Sequence, residues 1–221
     1  MTFGDAQGRL QRKPQNPAGV MPAQQARSEA TMRALMEAGR LAFNVRDYDQ
    51  VTIEDIAAEA GSSVGSFYSR FESKEVFFDY VQETILAEEL DILASLLDRL
   101  TNTGAGKAEF LSELSRFWVG VFRKHRGIYK TACRYTARGA DQWTPFRKSG
   151  HTSAGMVANA LAPQLAGRNK AARDQEVREA LQVVNGLLVN AILNEPGPVS
   201  LDDQRMERSV VKILQAFLNF R

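Results

Sequence analysis

The chain has 221 residues, 44% of them apolar and 24% charged, the proportions of an ordinary globular protein with room for one large domain or two small ones. No run approaches the ~18 uninterrupted apolar residues of a membrane span, and the first 25 residues lack the apolar segment of a secretory signal, so a cytoplasmic protein is expected. A single cysteine, Cys133, and two distant histidines exclude an internal disulfide and zinc-type spacing, and a net charge of +2 says little about partners until it is read locally.

Residues 1–25 hold Pro14, Pro17 and Pro22, scattered glutamine and little that could form an apolar face; they read as a flexible arm. Arg9, Arg12 and Lys13 against Asp5 leave the arm at +2. A solvated tail and a basic arm that tracks a DNA groove both fit that composition. From Arg27 the pattern turns helical: Met32, Leu35, Met36, Gly39, Ala42 and Phe43 recur at three-and-four spacing up to a turn through Tyr48, Asp49 and Gln50. Thr52 then offers an N-cap hydroxyl with Asp55 three residues on, and Ile53, Ile56, Ala57 and Ala60 form a short apolar face. Gly61 ends that helix where a left-handed residue is needed. Ser62 and Ser63 precede a third helix carrying Phe67, Tyr68 and Phe71, and Ser73 caps a fourth that runs to about Leu100.

After a break at Asn102–Gly106, helices are expected from about Lys107 to Lys124, from Gly127 to Arg138, and after Asp141 with Pro145 in the first turn. The strongest periodic run follows, Asp174–Asn194, stopped by Pro196, Gly197 and Pro198, and a last helix covers Asp202–Phe220. No alternating strand run, internal repeat or βαβ pattern is present, so the expected fold class is all-α. Residues 26–73 would form an N-terminal three-helix domain and residues 74–221 a helical C-terminal domain.

Two short helices joined by a tight turn, within 52–71, have the layout of a helix-turn-helix, whose second helix lies in the major groove. Such a helix needs small or polar residues facing outward, because bulky ones would hold it off the base edges. Val64, Gly65, Ser66 and Ser69 supply that face, with Phe67 and Phe71 turned inward. Tyr68 carries a hydroxyl that can reach phosphate, and Thr52, Ser63 and Lys74 are placed for backbone contacts from either side.

At these residues the sequence resembles the TetR family of transcriptional regulators. The features are Ala42-Phe43, Tyr48-Asp49, Thr52, Asp55-Ile56-Ala57, Ala60-Gly61, Gly65, Phe67-Tyr68, Phe71 and Ser73-Lys74-Glu75, within an ungapped stretch from Met36 to Phe78. The resemblance implies a repressor that binds a palindromic double-stranded operator as a homodimer, with a C-terminal half that dimerises and takes a small-molecule effector. It implies no catalysis and no cofactor. The chain departs from the family at Asp47, where a left-handed glycine is usual, and at Val64, where lysine is common; valine there could touch a thymine methyl. Residues 27–75 carry six cations against nine acids, so positive potential must be concentrated at a few phosphate contacts.

Arg123, Lys124, Arg126, Lys130, Arg134 and Arg138 form a run without an acid, four of them at four-residue steps. A solvated face and a surface for an anionic effector both fit. Phe117, Trp118, Phe122 and Trp143 are expected to wall the effector cavity, with Arg126, Lys130 or Arg134 at its rim. The dimer interface is expected at Val184, Leu188 and Ile192 of the long helix and at Val210, Leu214 and Phe217 of the last. Cys133 reads as a small buried residue, and neither His125 nor His151 has an identifiable carboxylate partner. The competing reading is a helical ligand-binding or enzymatic protein without DNA binding. It would need a nucleophile–base pair, a metal set or a phosphate loop, which the sequence does not display.

Overall fold

The computed structural model describes residues 26–137, 143–165, 169–195, 197–218 and 220. The expected arm, Arg138, Asp141 and Pro196 lie outside the described residues. Within them the chain is all-α, with nothing more extended than an isolated bridge between Leu165 and Phe220. The helices are α1 (Ala26–Val45), α2 (Ile53–Glu59), α3 (Val64–Tyr68), α4 (Lys74–Asn102), α5 (Lys107–Lys124), α6 (Arg126–Ala137), α7 (Thr144–Leu161), α8 (Lys170–Leu193) and α9 (Arg205–Phe217). A single 3₁₀ turn, Tyr48–Gln50, joins α1 to α2.

The first four helices close on a knot of aromatic rings. Phe43 stacks on Tyr48 at 5.5 Å and meets Phe78 edge-on at 5.0 Å, while Phe77 meets Phe67 at 5.1 Å and Phe71 at 4.7 Å. Such pairs add about 0.5–1.5 kcal/mol each beyond area burial. Gly39 is what lets Phe77 in, because a Cβ there would stand 2.5 Å from the ring. α4, about 43 Å long at 1.5 Å per residue, continues into the second half, where it packs on α7. α5 and α9, α7 and α8, and α8 and α9 pack against one another. The buried apolar cluster is continuous from Leu35 to Leu218, so no gap in the core separates α1–α3 from the rest.

Four local expectations need correction. α3 is five residues long and stops at Tyr68, with Phe71 beyond it, and α8 begins at Lys170, capped by Asn169, rather than at Asp174. Asp47 is extended (φ −62°, ψ 138°), so aspartate carries no left-handed strain where the family has glycine. Five of the six residues assigned to a dimer interface, Val184, Leu188, Ile192, Val210 and Leu214, are at most 5% exposed within this one chain. Their periodicity marked the chain's own core. Of that set only Phe217 is exposed, and Val183 and Leu193 accompany it.

Candidate nucleic-acid interface and regulatory cavity

Each reading element is started by the side chain that the sequence places there. Thr52 Oγ1 accepts the Asp55 N–H at 3.1 Å and Asp55 accepts the Thr52 N–H at 3.4 Å, a closed capping box. Arg46 adds a bond to the same carboxylate at 2.8 Å, and these bonds hold the Asp55 carboxyl below its ordinary range. Gly61 adopts φ +59°, turning the chain between α2 and α3. Ser63 Oγ accepts the Ser66 N–H at 3.1 Å and Ser73 Oγ the Val76 N–H at 3.2 Å. A capping hydroxyl that accepts from the backbone keeps its own proton, so Thr52 and Ser63 can still donate to phosphate.

The outward face of α3 carries mostly small or hydroxylated side chains. Ser63, Gly65, Tyr68 and Ser69 are exposed, Val64 and Ser66 are half-buried, and Phe67 and Phe71 are fully buried. A Cβ on Gly65 would meet nothing nearer than Ser63 Oγ at 3.9 Å. Packing inside the chain therefore does not demand glycine there, whereas a surface that must approach another molecule closely gains from it.

Two cations behave differently from expectation. Lys74 is turned inward: its Nζ donates to the Tyr48 and Val51 carbonyls at 3.1 and 2.9 Å and lies 4.2 Å from the centre of the Tyr48 ring. It ties α4 to the α1–α2 turn, which leaves at most one ammonium proton for phosphate. Arg70, which sequence reasoning only counted, is a staple. It donates to the Ser66 carbonyl at 2.7 Å and to the Ser66 and Ser69 hydroxyls, and its other nitrogen reaches Ser28 Oγ on α1 at 2.9 Å. Both cations bind uncharged oxygens, so their charge stays beside α3, whereas Arg40 and Arg46 pair with Glu88 and Asp55.

Four cations of the basic run, Arg123, Lys124, Arg126 and Arg134, are paired with acids of the chain itself. Arg123 binds Glu207 and the Leu201 carbonyl, Lys124 binds Glu89, Arg126 binds Asp202 and Glu195, and Arg134 binds Asp47. These cations gather acids from α4, from α9 and from the segments that follow α1 and α8, partners that no local spacing reveals. At the same junction Asn44 bridges the end of α5 and the start of α6: Asn44 Nδ2 donates to the Lys124 carbonyl and Asn44 Oδ1 accepts the Gly127 N–H, at 2.8 and 2.9 Å. Tyr135 adds a 2.7 Å bond to Asp49 and an edge-on ring contact with Tyr48. His125 does have a carboxylate, contrary to expectation: buried Glu89 at 2.9 Å. Cys133 is half-buried, and burial pushes its thiol up to about 11, which leaves little thiolate at neutral pH.

A cavity of about 300 Å³ lies between α5, α7 and α8. Trp118 and Trp143 line it, together with buried Phe146, Ala154 and Leu181. A second cavity of about 50 Å³ shares Trp118 and contains Phe117, Glu89 and Tyr129. Phe122 lines neither, being stacked on Tyr129 at 4.0 Å in the core. Arg126, Lys130 and Arg134 line neither as well; the polar side chains at the larger cavity are Arg147, His151, Ser153, Arg178, Gln182 and Asn185. No spacing in α7 or α8 singles these out, because they converge only when the two helices pack.

Residues 35–81 match the sequence model of the bacterial regulatory proteins of the tetR family. The HTH-type transcriptional regulator YwcC of Bacillus subtilis is 42% identical over 59 residues, which are 27% of this chain and 26% of that protein. The chain thus matches about a quarter of that relative's length. A protein of Mesorhizobium loti assigned to the TetR family superposes with a TM-score of 0.72 at 19% identity, over 87% of this chain and 97% of that one. A transcriptional-regulator structure from Saccharomonospora viridis, solved with choline, gives 0.68 at 18% identity over 88% and 99%. SmeT, the repressor of a Stenotrophomonas maltophilia multidrug efflux pump, gives 0.58 at 18% over 87% and 92%. At such identities these likenesses establish the fold.

Proposed function

We propose that this chain belongs to the tetR family of bacterial regulatory proteins, whose sequence model matches residues 35–81, and that it is a dimeric, sequence-specific transcriptional repressor in the cytoplasm that releases a palindromic operator when a small molecule binds. The observation that carries DNA reading is the exposed face of α3: small and hydroxylated at Gly65, Ser66 and Ser69, with Tyr68 53% exposed beside it, although every neighbouring aromatic is buried. Val64, Gly65 and Ser66 are the base-facing set; Thr52, Ser63, Tyr68 and Ser69 serve phosphates, and Lys74 contributes through its charge.

Regulation needs a route from the cavity to α3. α6 packs against α8 on one side and against α1 on the other, and the Asn44–Gly127 pair, Arg134–Asp47 and Tyr135–Asp49 tie it to the reading domain. A ligand that favours one placement of α7 and α8 would shift α1 through this joint and change the spacing of two reading helices. The test is fluorescence anisotropy with DNA from upstream of the protein's own gene, against a scrambled duplex of equal composition at moderate salt. The palindromic duplex should bind at least about a hundredfold more tightly, within the range of specific over non-specific affinity. Equal binding of the two would overturn the proposal.

A further inference from the structure

We infer that the small cavity at Glu89 is the head-group pocket for a protonated primary or secondary amine, whose aromatic or apolar body lies in the larger cavity between α5, α7 and α8. The inference rests on reading the larger cavity as the effector site. The two cavities are neighbours that share Trp118 and Ser153 as wall residues. Trp118 and Trp143 are half-buried and Phe146 is buried, which gives the body of such a ligand aromatic surface to pack on.

Two buried polar groups of the small cavity lack a donor from the chain. Glu89 is 8% exposed, and Lys124 Nζ and His125 Nε2 both bind its Oε1, at 2.9 Å each. Oε2 meets no donor among the described residues. The two bonds outweigh the burial that opposes charge, so the carboxylate is ionised. Tyr129, 6% exposed, lines the same cavity, and its hydroxyl makes no hydrogen bond among the described residues. Burial and the Glu89 charge push that phenol up, so it stays protonated and keeps its oxygen as an acceptor. Buried polar groups are nearly always matched; two unmatched acceptors in one cavity point to a donor brought by a ligand. The sign of the charge follows from the lining. No cationic side chain lines the small cavity among the described residues, and an anion would face the Glu89 charge. Lys124 is exposed, as are Arg147, His151 and Arg178 of the larger cavity, so water and salt screen them more than buried Glu89. Phe117 and Trp118 add ring faces that favour a cation. The volume of about 50 Å³ is little more than the roughly 30 Å³ of one liquid water, room for an ammonium but not for a trimethylammonium. A water would match the same two oxygens without charge, and matched probes separate the two cases.

Isothermal titration calorimetry of the full chain with three probes tests this: 1-naphthylmethylammonium, neutral 1-naphthalenemethanol and 1-naphthylmethyl-trimethylammonium. The primary ammonium should bind at least about tenfold more tightly than the alcohol, as expected for charge-assisted over neutral hydrogen bonding. The trimethyl compound, charged but without an N–H, should bind no better than the alcohol. Glu89→Gln should bring the ammonium down to the alcohol's affinity, measured below a melt followed by circular dichroism. Tyr129→Phe removes a hydroxyl that bonds to nothing else in the chain, so it should keep the fold and weaken the ammonium about two- to tenfold, the worth of one hydrogen bond; it decides the matter if Glu89→Gln does not fold. Asp91→Asn, at an exposed acid of α4 outside both cavities, should leave the preference unchanged. Failure of the ammonium to bind, an alcohol or trimethyl compound that binds as tightly, or cavity variants that bind the ammonium as wild type does would each overturn the inference. Calorimetry involves no DNA, so its failure leaves operator binding standing, and failure of operator binding leaves the ligand preference measurable.

Discussion

Glu89 is a carboxylate 8% exposed on the inner face of α4, holding His125 at 2.9 Å and Lys124 at 2.9 Å. Burial pushes its pKa up, but the hydrogen bonds and charges of His125 and Lys124 outweigh burial and hold the carboxyl below its ordinary value. A group whose pKa is lower folded than unfolded adds stability above the unfolded value and loses it as the pH falls through the folded one. Glu89→Gln should therefore lower stability at neutral pH by about 1–3 kcal/mol, and the gap to wild type should close under acid, below the depressed pKa. Thermal melts of both proteins across that pH range measure it; a gap independent of pH would show that Glu89 acts through packing rather than charge. The sequence made the caps readable, Thr52, Ser63 and Ser73, because a cap and its partner lie three residues apart. It hid Glu89 on α4 and His125 at the turn between α5 and α6, 36 positions apart, because nothing local records which long-range neighbour a buried polar group will meet.

At the scale of elements, α3 is too short to hold itself, since isolated helices under about a dozen residues are marginal even with good formers. It persists because Ser63 caps one end, Arg70 staples the other to Ser28 and buried Phe67 anchors its inner side. Two substitutions should separate holding from reading. Arg70→Ala should lower the melting temperature and DNA affinity together. Tyr68→Phe, which removes one exposed hydroxyl, should leave the melt unchanged and weaken binding to all duplexes by about two- to tenfold, the worth of one hydrogen bond. A Tyr68→Phe protein that binds as tightly as wild type would remove that hydroxyl from the interface. The α1–α6 joint allows a similar test at Gly127, where a Cβ would lie 2.4 Å from the Phe43 carbonyl oxygen and 2.5 Å from the Asn44 backbone. Gly127→Ala must push α6 away from α1, so we expect about 1–3 kcal/mol of destabilisation and an operator affinity less responsive to ligand. The helix positions were legible because periodicity and caps are local. The joint was not, because Asn44 and Gly127 become partners only once α6 crosses α1.

For the molecule as a whole, the proposed operator reading needs two copies acting across successive major grooves roughly 34 Å apart, because one α3 offers too few contacts to select a site among a genome's competing sequences. What a second copy would meet is now a different surface from the one that periodicity suggested. Val183, Gly186, Asn190 and Leu193 follow one another at three-and-four spacing on α8; Val183 is 41% and Leu193 46% exposed, and a Cβ on Gly186 would meet nothing within 4 Å. Phe217, 37% exposed on α9, adds apolar area. A helix face with apolar ends and an open glycine between them invites close packing by an identical helix about a two-fold axis. Leu188, fully buried, serves as the control. Leu188→Glu places an unpaired charge in the core and should cost several kcal/mol, so it should unfold or aggregate the chain. Leu193→Glu with Phe217→Glu should leave the melt nearly intact and convert the dimer to a folded monomer in light scattering at micromolar concentration. Each phosphate contact contributes roughly 0.9 to the slope of log affinity against log salt, so a monomer on one half-site should show about half the dimer's slope. Wild-type protein that runs as a monomer, or a doubly charged variant that stays dimeric with an unchanged slope, would place the interface elsewhere.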